Sequence, residues 1–257
     1  MTKPILSTRN LTRDFGPFRA VDGVTLDIRR GSITGLIGPN GAGKSTLFNV
    51  LTGMLAPTAG QVALEGHDVT GQSPDRLFAQ GLGRTFQIPR PFARMSVLEN
   101  VMLAPLNQLG ERLWGPILQP ARMRAEEATI RKRALEVLEF VTLDTLADQA
   151  AAEISGGQRK LLELARVLMG DPSVILLDEP AAGVNPSLTR VLIEKIEELN
   201  RGGKTFVIIE HDMDFVMQHC EPVIALAQGK IVFQGTAEEA QSNPVLLDAY
   251  LGAQVDG

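Results

Sequence analysis

The residues best suited to chemistry stand together in Gly38-Pro39-Asn40-Gly41-Ala42-Gly43-Lys44-Ser45-Thr46. Glycines lack a Cβ, so successive backbone N–H groups can curl around an anion. A helix opening at this point adds partial positive charge to the same spot. Lys44 can reach the outer phosphates of a nucleotide, and the Ser45 hydroxyl can ligate Mg²⁺. An ordinary glycine turn needs neither the Lys-Ser pair nor so many glycines. The spacing therefore predicts a nucleotide phosphate site.

A second group follows the apolar run Val174-Ile175-Leu176-Leu177, which delivers Asp178 and Glu179 at its end. Continuous apolar runs read as strands buried on both faces of a parallel sheet. Ligands in such sheets gather at the carboxyl ends of the strands. There Asp178 suits Mg²⁺ and Glu179 suits action on a water. His211 follows a second buried run, Thr205 to Glu210, and is a candidate for the same edge. Ser155-Gly156-Gly157-Gln158 opens a helix whose Ser155 and Gln158 have capping-box spacing. Two glycines in a first turn cost about 1 kcal/mol each against alanine, which points to close approach by something, with a phosphate the natural candidate. Phe15, taken alone, reads as a cap on a small β-layer or as a ring for stacking on a base. Gln87, after Arg84-Thr85-Phe86, reads alone as a solvated strand end.

These groups need elements to hold them. Residues 5–11, 23–28, 33–37 and 61–66 read as strands, with Val24 to Ile28 alternating as a half-exposed antiparallel strand. Pro74 to Gln80 predicts a short helix starting on its proline. The two prolines of 88–92 predict a stiffened loop. Ser96 and Glu99 predict a capping box for a helix over 96–103, and Pro105 to Pro120, with Trp114, reads as an irregular insertion. Arg122 to Phe140 predicts a helix with Ile130, Leu135, Val137 and Leu138 on its apolar side. Asn185 and Pro186 predict the start of a helix over 187–200. Residues 223–226 and 231–234 predict a hairpin, and short helices are expected around Glu238 and Asp248. The result is an α/β chain with a helical block inserted over 88–152.

Composition bounds the rest. The chain has 257 residues, 44% of them hydrophobic, which is globular rather than disordered. A net charge of −5 argues against a dedicated nucleic-acid binder. The one cysteine, Cys220, excludes an internal disulfide and fits a reducing compartment and a small buried hydrophobe. No apolar run approaches the ~20 residues that span a bilayer, and a signal-peptide core is not evident.

In order and spacing, these pieces resemble the nucleotide-binding subunit of ABC transporters over nearly the whole chain. Gly38 to Thr46 resembles the Walker A loop, and Gln87 falls where the Q-loop glutamine stands. Ser155 to Gln158 resembles the signature, and Val174 to Glu179 resembles Walker B with its catalytic glutamate. Ala181 to Asn185 falls at the D-loop, ending in Asn185 instead of aspartate. His211 takes the switch position and Phe15 the adenine-stacking position, where tyrosine is commoner. Arg84 to Gln87, the segment near Trp114, Ala181 to Pro186 and Ala249-Tyr250-Leu251-Gly252 resemble the longer of the two paired ATPases of branched-chain amino acid importers.

The resemblance implies a P-loop NTPase core with a mostly parallel sheet and an N-terminal antiparallel β-layer, carried by 1–87 and 153–257, with a helical subdomain over 88–152. It implies ATP held by Phe15, Gly38, Asn40, Gly41, Gly43, Lys44, Ser45, Thr46 and Gln87, and, from a second subunit, by Ser155, Gly157 and Gln158. Mg²⁺ would be held by Ser45, Asp178 and Gln87, and catalysis would fall to Glu179, His211 and Lys44. Implied partners are a second ATPase subunit, identical or paralogous, membrane permease subunits and, indirectly, an external solute-binding protein, with no nucleic acid. The implied location is the cytoplasmic face of the inner membrane. A soluble ABC-type ATPase would usually carry paired domains or coiled-coil inserts. A small-molecule kinase would not need the Ser155 helix start.

Overall fold

A computed structural model describes residues 3–85, 91–105, 120–243 and 246. The chain divides into two compact units: 1–87, 173–182 and 196–257 form the first, and 88–172 with 183–195 form the second.

The first unit holds two sheets. One is antiparallel, with β1 (Leu6–Phe15) between β2 (Phe18–Ile28) and β4 (Ala59–Leu64), and β5 (His67–Asp68) at its edge. The expected strands 5–11 and 23–28 prove longer and meet as a hairpin through Gly16-Pro17. Val24, Leu26 and Ile28 are buried while Thr25 and Asp27 are exposed, as alternation demands. The other sheet has the order β10-β9-β3-β8-β7-β6. Its members are β3 (Ile33–Ile37), β6 (Leu82–Arg84), β7 (Val174–Asp178), β8 (Thr205–Ile209), β9 (Val223–Ala227) and β10 (Lys230–Gly235). All neighbours are parallel except the hairpin β9–β10. That hairpin turns through Gln228 and Gly229, both at positive φ, the conformation of a tight two-residue turn.

Every residue of β7 and β8 is buried, which explains their unbroken apolar sequences. Helix α1 (Lys44–Leu51) follows β3 and buries Leu47, Phe48, Val50 and Leu51. These join Leu36, Leu176, Val207, Ile209 and Leu226 in one core cluster. The short α2 (Pro74–Ala79) starts on its proline behind Ser73. After β8 come α7 (Met213–His219), which no expectation covered, and α8 (Ala237–Gln241). Asp212 caps α7, its Oδ1 accepting from the backbone N–H groups of Asp214 and Phe215. The helix expected around Asp248 lies outside the described residues.

The second unit is helical: α3 (Val97–Met102), α4 (Pro120–Phe140), α5 (Gly156–Leu168) and the first turns of α6 (Pro186–Arg201), which crosses the division. The Ser96–Glu99 capping box forms, with Glu99 N–H donating to Ser96 Oγ and Ser96 N–H to Glu99 Oε2. Asn185 starts α6 by accepting the Leu188 N–H through Oδ1 at 2.9 Å. One expectation for α4 fails. Ala134, Val137, Leu138 and Val141 are buried, but Leu135 is 39% exposed. The inward stripe follows the spacing 134, 137, 138, 141, and Leu135 falls off it. The 105–120 insertion and Trp114 lie almost wholly outside the described residues.

Candidate functional site

The parallel ladder sets the site. Leu36 of β3 pairs with Ile209 of β8, and Ile209 pairs with Asp178 of β7. The carboxyl ends of three adjacent strands therefore line up, and each continues into a segment singled out by sequence: the glycine loop, Glu179 and His211.

The loop's glycines divide by role. A Cβ on Gly38, at φ +146°, would overlap the Leu226 carbonyl oxygen, and one on Gly43, at φ +100°, the Ala20 carbonyl oxygen. Both shape the loop against its own scaffold. Gly41, at φ +77°, has nothing within 4 Å of its missing Cβ, and it and Asn40 are exposed. Helix α1 has Gly43 at its N-cap and no side-chain cap, so its first N–H groups are not claimed by a capping side chain. The Lys44 ammonium donates to the carbonyls of Gly38 at 2.6 Å and Pro39 at 3.0 Å. Burial holds its pKa below the ordinary value, while the charges of Glu179 and Asp178 pull it back up. Ser45 is exposed at the helix start, beside half-buried Thr46.

Asp178 ends β7 with its side chain 5% exposed. Its Oδ2 accepts from Arg84 Nη2 at 2.9 Å, and its Oδ1 is buried without a hydrogen-bond partner among the described residues. Burial raises its pKa, and Arg84 acts against that rise. An unpartnered buried carboxylate oxygen is costly unless something completes it. Glu179 adopts the left-handed region, φ +48°. Its N–H donates to the Ile209 carbonyl at 3.0 Å, and Oε1 lies 3.8 Å from His211 Nδ1. The His211 side chain is 63% exposed. Glu210, its buried neighbour, accepts the Ala181 N–H through Oε1 at 3.0 Å, and burial raises its pKa. Lys44, Asp178, Glu179 and His211 are thus linked by contact or by charge within the first unit.

Phe15 is 44% exposed at the end of β1, with the Arg13 guanidinium 4.7 Å from its ring centre. Arg13 in turn donates to the Ala56 carbonyl at 2.8 Å. One face of the ring is therefore braced by a cation. Gln87 lies outside the described residues, as do Ala249 to Gly252.

In the second unit, Ser155 and Gln158 form the expected capping box: Ser155 N–H donates to Gln158 Oε1 at 2.8 Å, and Gln158 N–H to Ser155 Oγ at 3.3 Å. The glycines behind it differ. A Cβ on Gly157 would stand 2.7 Å from Leu188 Cδ1 and 2.9 Å from Val184 Cγ1. Packing within its own unit already accounts for the missing Cβ of Gly157, so that absence by itself does not point to a ligand. Gly156 is exposed with nothing within 4 Å of its missing Cβ.

Three features escaped the sequence reading. Arg84 had no motif of its own. Glu210 sat unnoticed beside His211. His219, read as featureless, places Nδ1 3.1 Å from Glu197 Oε1. Cys220 is buried as expected, its thiol pushed up to about 12 by burial.

Residues 21–182 match the family model described as ABC transporter. The probable branched-chain amino acid transport ATP-binding protein LivG of Archaeoglobus fulgidus is 41% identical, covering 97% of this chain and 96% of its own. The high-affinity counterpart of Salmonella typhimurium is 39% identical, covering 98% and 99%. A nucleotide-free ATP-binding cassette from an ABC transporter superposes with TM-score 0.84 at 39% identity, covering 96% of this chain and 98% of its own. A cassette in its ADP conformation gives 0.84 at 38%, covering 98% and 100%. The chain belongs to the ABC transporter family, as one of its ATP-hydrolysing cassettes.

Proposed function

We propose that this cassette powers an importer of branched-chain or other hydrophobic amino acids. Near-full-length identity to relatives named for branched-chain amino acid transport carries this reading. In it, the first unit serves as the nucleotide-binding core and the second, which carries α5 beyond the expected 88–152, as the helical subdomain. The partners are membrane permease subunits, a second cassette, identical or paralogous, and indirectly an external solute-binding protein. The cassette works peripherally at the cytoplasmic face of the inner membrane.

Phe15 stacks on the adenine. The backbone N–H groups from Gly38 to Thr46, with Asn40, Gly41, Gly43 and Lys44, hold the phosphates. Lys44 exchanges its two carbonyl partners for phosphate oxygens, which restores a full charge partner to a part-buried ammonium. Ser45, Asp178 and Gln87 would hold a Mg²⁺ ion, and Asp178 Oδ1, without a partner among the described residues, is the observation that supports this. Bound there, Mg²⁺ supplies charge neutralisation at the outer phosphates. Glu179 orients and polarises the attacking water, and His211 holds the γ-phosphate and that water in line. Ser155, Gly157 and Gln158 act on the nucleotide held by the partner cassette, so hydrolysis removes the ligand that joins the two.

The test is recovery of the protein from detergent-solubilised membranes together with uptake. Permease subunits should co-purify, and loss of the cassette should abolish uptake of leucine, isoleucine and valine. Uptake unchanged in its absence overturns the amino-acid reading. A steady-state ATPase rate per chain that does not rise with concentration while dimers form overturns the shared site.

A further inference from the structure

Arg84 is a buried cation with no role assigned above. It ends β6, and its guanidinium joins three elements. Nη2 donates to Asp178 Oδ2 of β7 at 2.9 Å. Nη1 donates to Asn49 Oδ1 at 2.6 Å and Thr52 Oγ1 at 3.3 Å, one on α1 and the other its C-cap. The group also lies over the Phe48 ring, 5.7 Å from its centre. The two side chains of the pair are only 10% and 5% exposed.

A buried ion pair is a weak stabiliser, because desolvation offsets most of its attraction. Its geometry is more informative. A planar guanidinium donates along fixed directions, so one already held by Asn49 and Thr52 meets a carboxylate in one orientation. Here it engages one oxygen of Asp178 and leaves the other, Oδ1, buried without a hydrogen-bond partner among the described residues. A carboxylate held at one oxygen by a fixed donor has its plane, and so the direction of its other oxygen, set. The same guanidinium fixes β7 to α1, the helix that Lys44 and Ser45 open.

We propose that Arg84 is a positioning residue for the divalent cation of the nucleotide site: it occupies Asp178 Oδ2, keeps Oδ1 as the metal-facing oxygen, and locks that carboxylate to the helix bearing Ser45. This rests on the reading of Asp178 as a metal-binding residue.

The test measures the affinity of the purified cassette for a non-hydrolysable ATP analogue, with EDTA and with saturating Mg²⁺. The ratio of the two affinities is the gain from the metal. In Arg84→Gln the gain should fall at least fivefold, while affinity in EDTA changes less than twofold. Arg84→Lys, a point charge without the fork, should fall between. Thermal denaturation checks that each variant is folded. Should Arg84→Gln fail to fold, Asn49→Ala with Thr52→Ala loosens the anchor and keeps the ion pair. It should reduce the gain in the same direction, and an undiminished gain there overturns the proposal. An undiminished gain in folded Arg84→Gln overturns it too, as does an equal loss with and without Mg²⁺, which would mark a structural brace only. Asp178→Asn is run alongside. If it keeps the full gain, the underlying metal reading fails, and that result is separable from a failure confined to Arg84.

Discussion

Two helices in this protein begin on glycines, and they begin differently. Helix α1 starts at Gly43 without a capping side chain, and the Lys44 ammonium folds back onto the loop's own carbonyls. Helix α5 starts behind a complete capping box, with Ser155 and Gln158 exchanging bonds. The first start is held open by glycines wedged against Ala20 and Leu226. The second is closed on itself. The backbone N–H groups of an open helix start are available to an anion at once, whereas a capped start has already committed part of its donors. Lone-chain nucleotide affinity therefore belongs to α1. On the proposed shared site, the contribution of α5 is conditional on an incoming phosphate that displaces Gln158 Oε1 from the Ser155 N–H.

The largest effect should come at the reacting edge beside α1. Glu179→Gln should lower ATP turnover by about 100-fold or more while nucleotide binding persists, as loss of a general base does. Near-normal phosphate release would remove Glu179 from its role. Lys44→Ala should weaken ATP affinity by about tenfold or more, the scale of one lost charge-assisted hydrogen bond. Equilibrium binding checks this, and unchanged affinity would break the claim that the open start alone holds nucleotide.

The closed start makes a sharper pair. Gly157→Ala should destabilise the second unit by about 1–3 kcal/mol through overpacking against Leu188 and Val184. Gly156→Ala meets no atom within 4 Å among the described residues, so stability should stay level or rise by up to about 1 kcal/mol. On the proposed shared site, ATPase activity should nonetheless fall severalfold, because a partner cassette's nucleotide would approach that methyl. Full activity in Gly156→Ala would mean that α5 is capped for itself alone.

The smallest effects concern buried groups outside either start. Burial raises the Glu210 pKa above its ordinary 4.5, so the fold takes up that proton more readily than the unfolded chain. Its contribution is fully present below the ordinary value and is lost as pH rises through the raised one. Glu210→Gln should therefore gain thermal stability relative to the parent across that window, and a pH-independent difference would refute it. Cys220, with its thiol pushed up to about 12, should resist thiol reagents in the native state and react only on unfolding.

Periodic elements were legible because burial imposes a period. The apolar runs of β7 and β8 and the alternation of β2 follow from which faces are covered. Legibility failed where local structure broke the period. Asn10, at φ +49°, lies where the β1 register shifts, so the strand's far half loses its alternation and extends past the expected 5–11. Leu135 matched the apolar side of α4 only when one turn was read too broadly. The chemistry of the glycine loop, Asp178, Glu179 and the Ser155 box could be read because each depends on adjacent residues. Arg84 and Glu210 could not, since their partners stand 94 and 29 positions away. Gly157 shows the converse: a missing side chain that suggests room for a ligand also has a packing cause in Leu188.

The left-handed backbone of Glu179 has a consequence for selection. A residue with a Cβ pays roughly 1–2 kcal/mol to sit there, and glycine pays almost nothing. Glu179→Gly should thus be inert and at the same time harder to unfold. A library of this chain screened on heat survival alone would enrich dead enzymes at that position. The cassette keeps its carboxylate only as long as turnover is what is being selected.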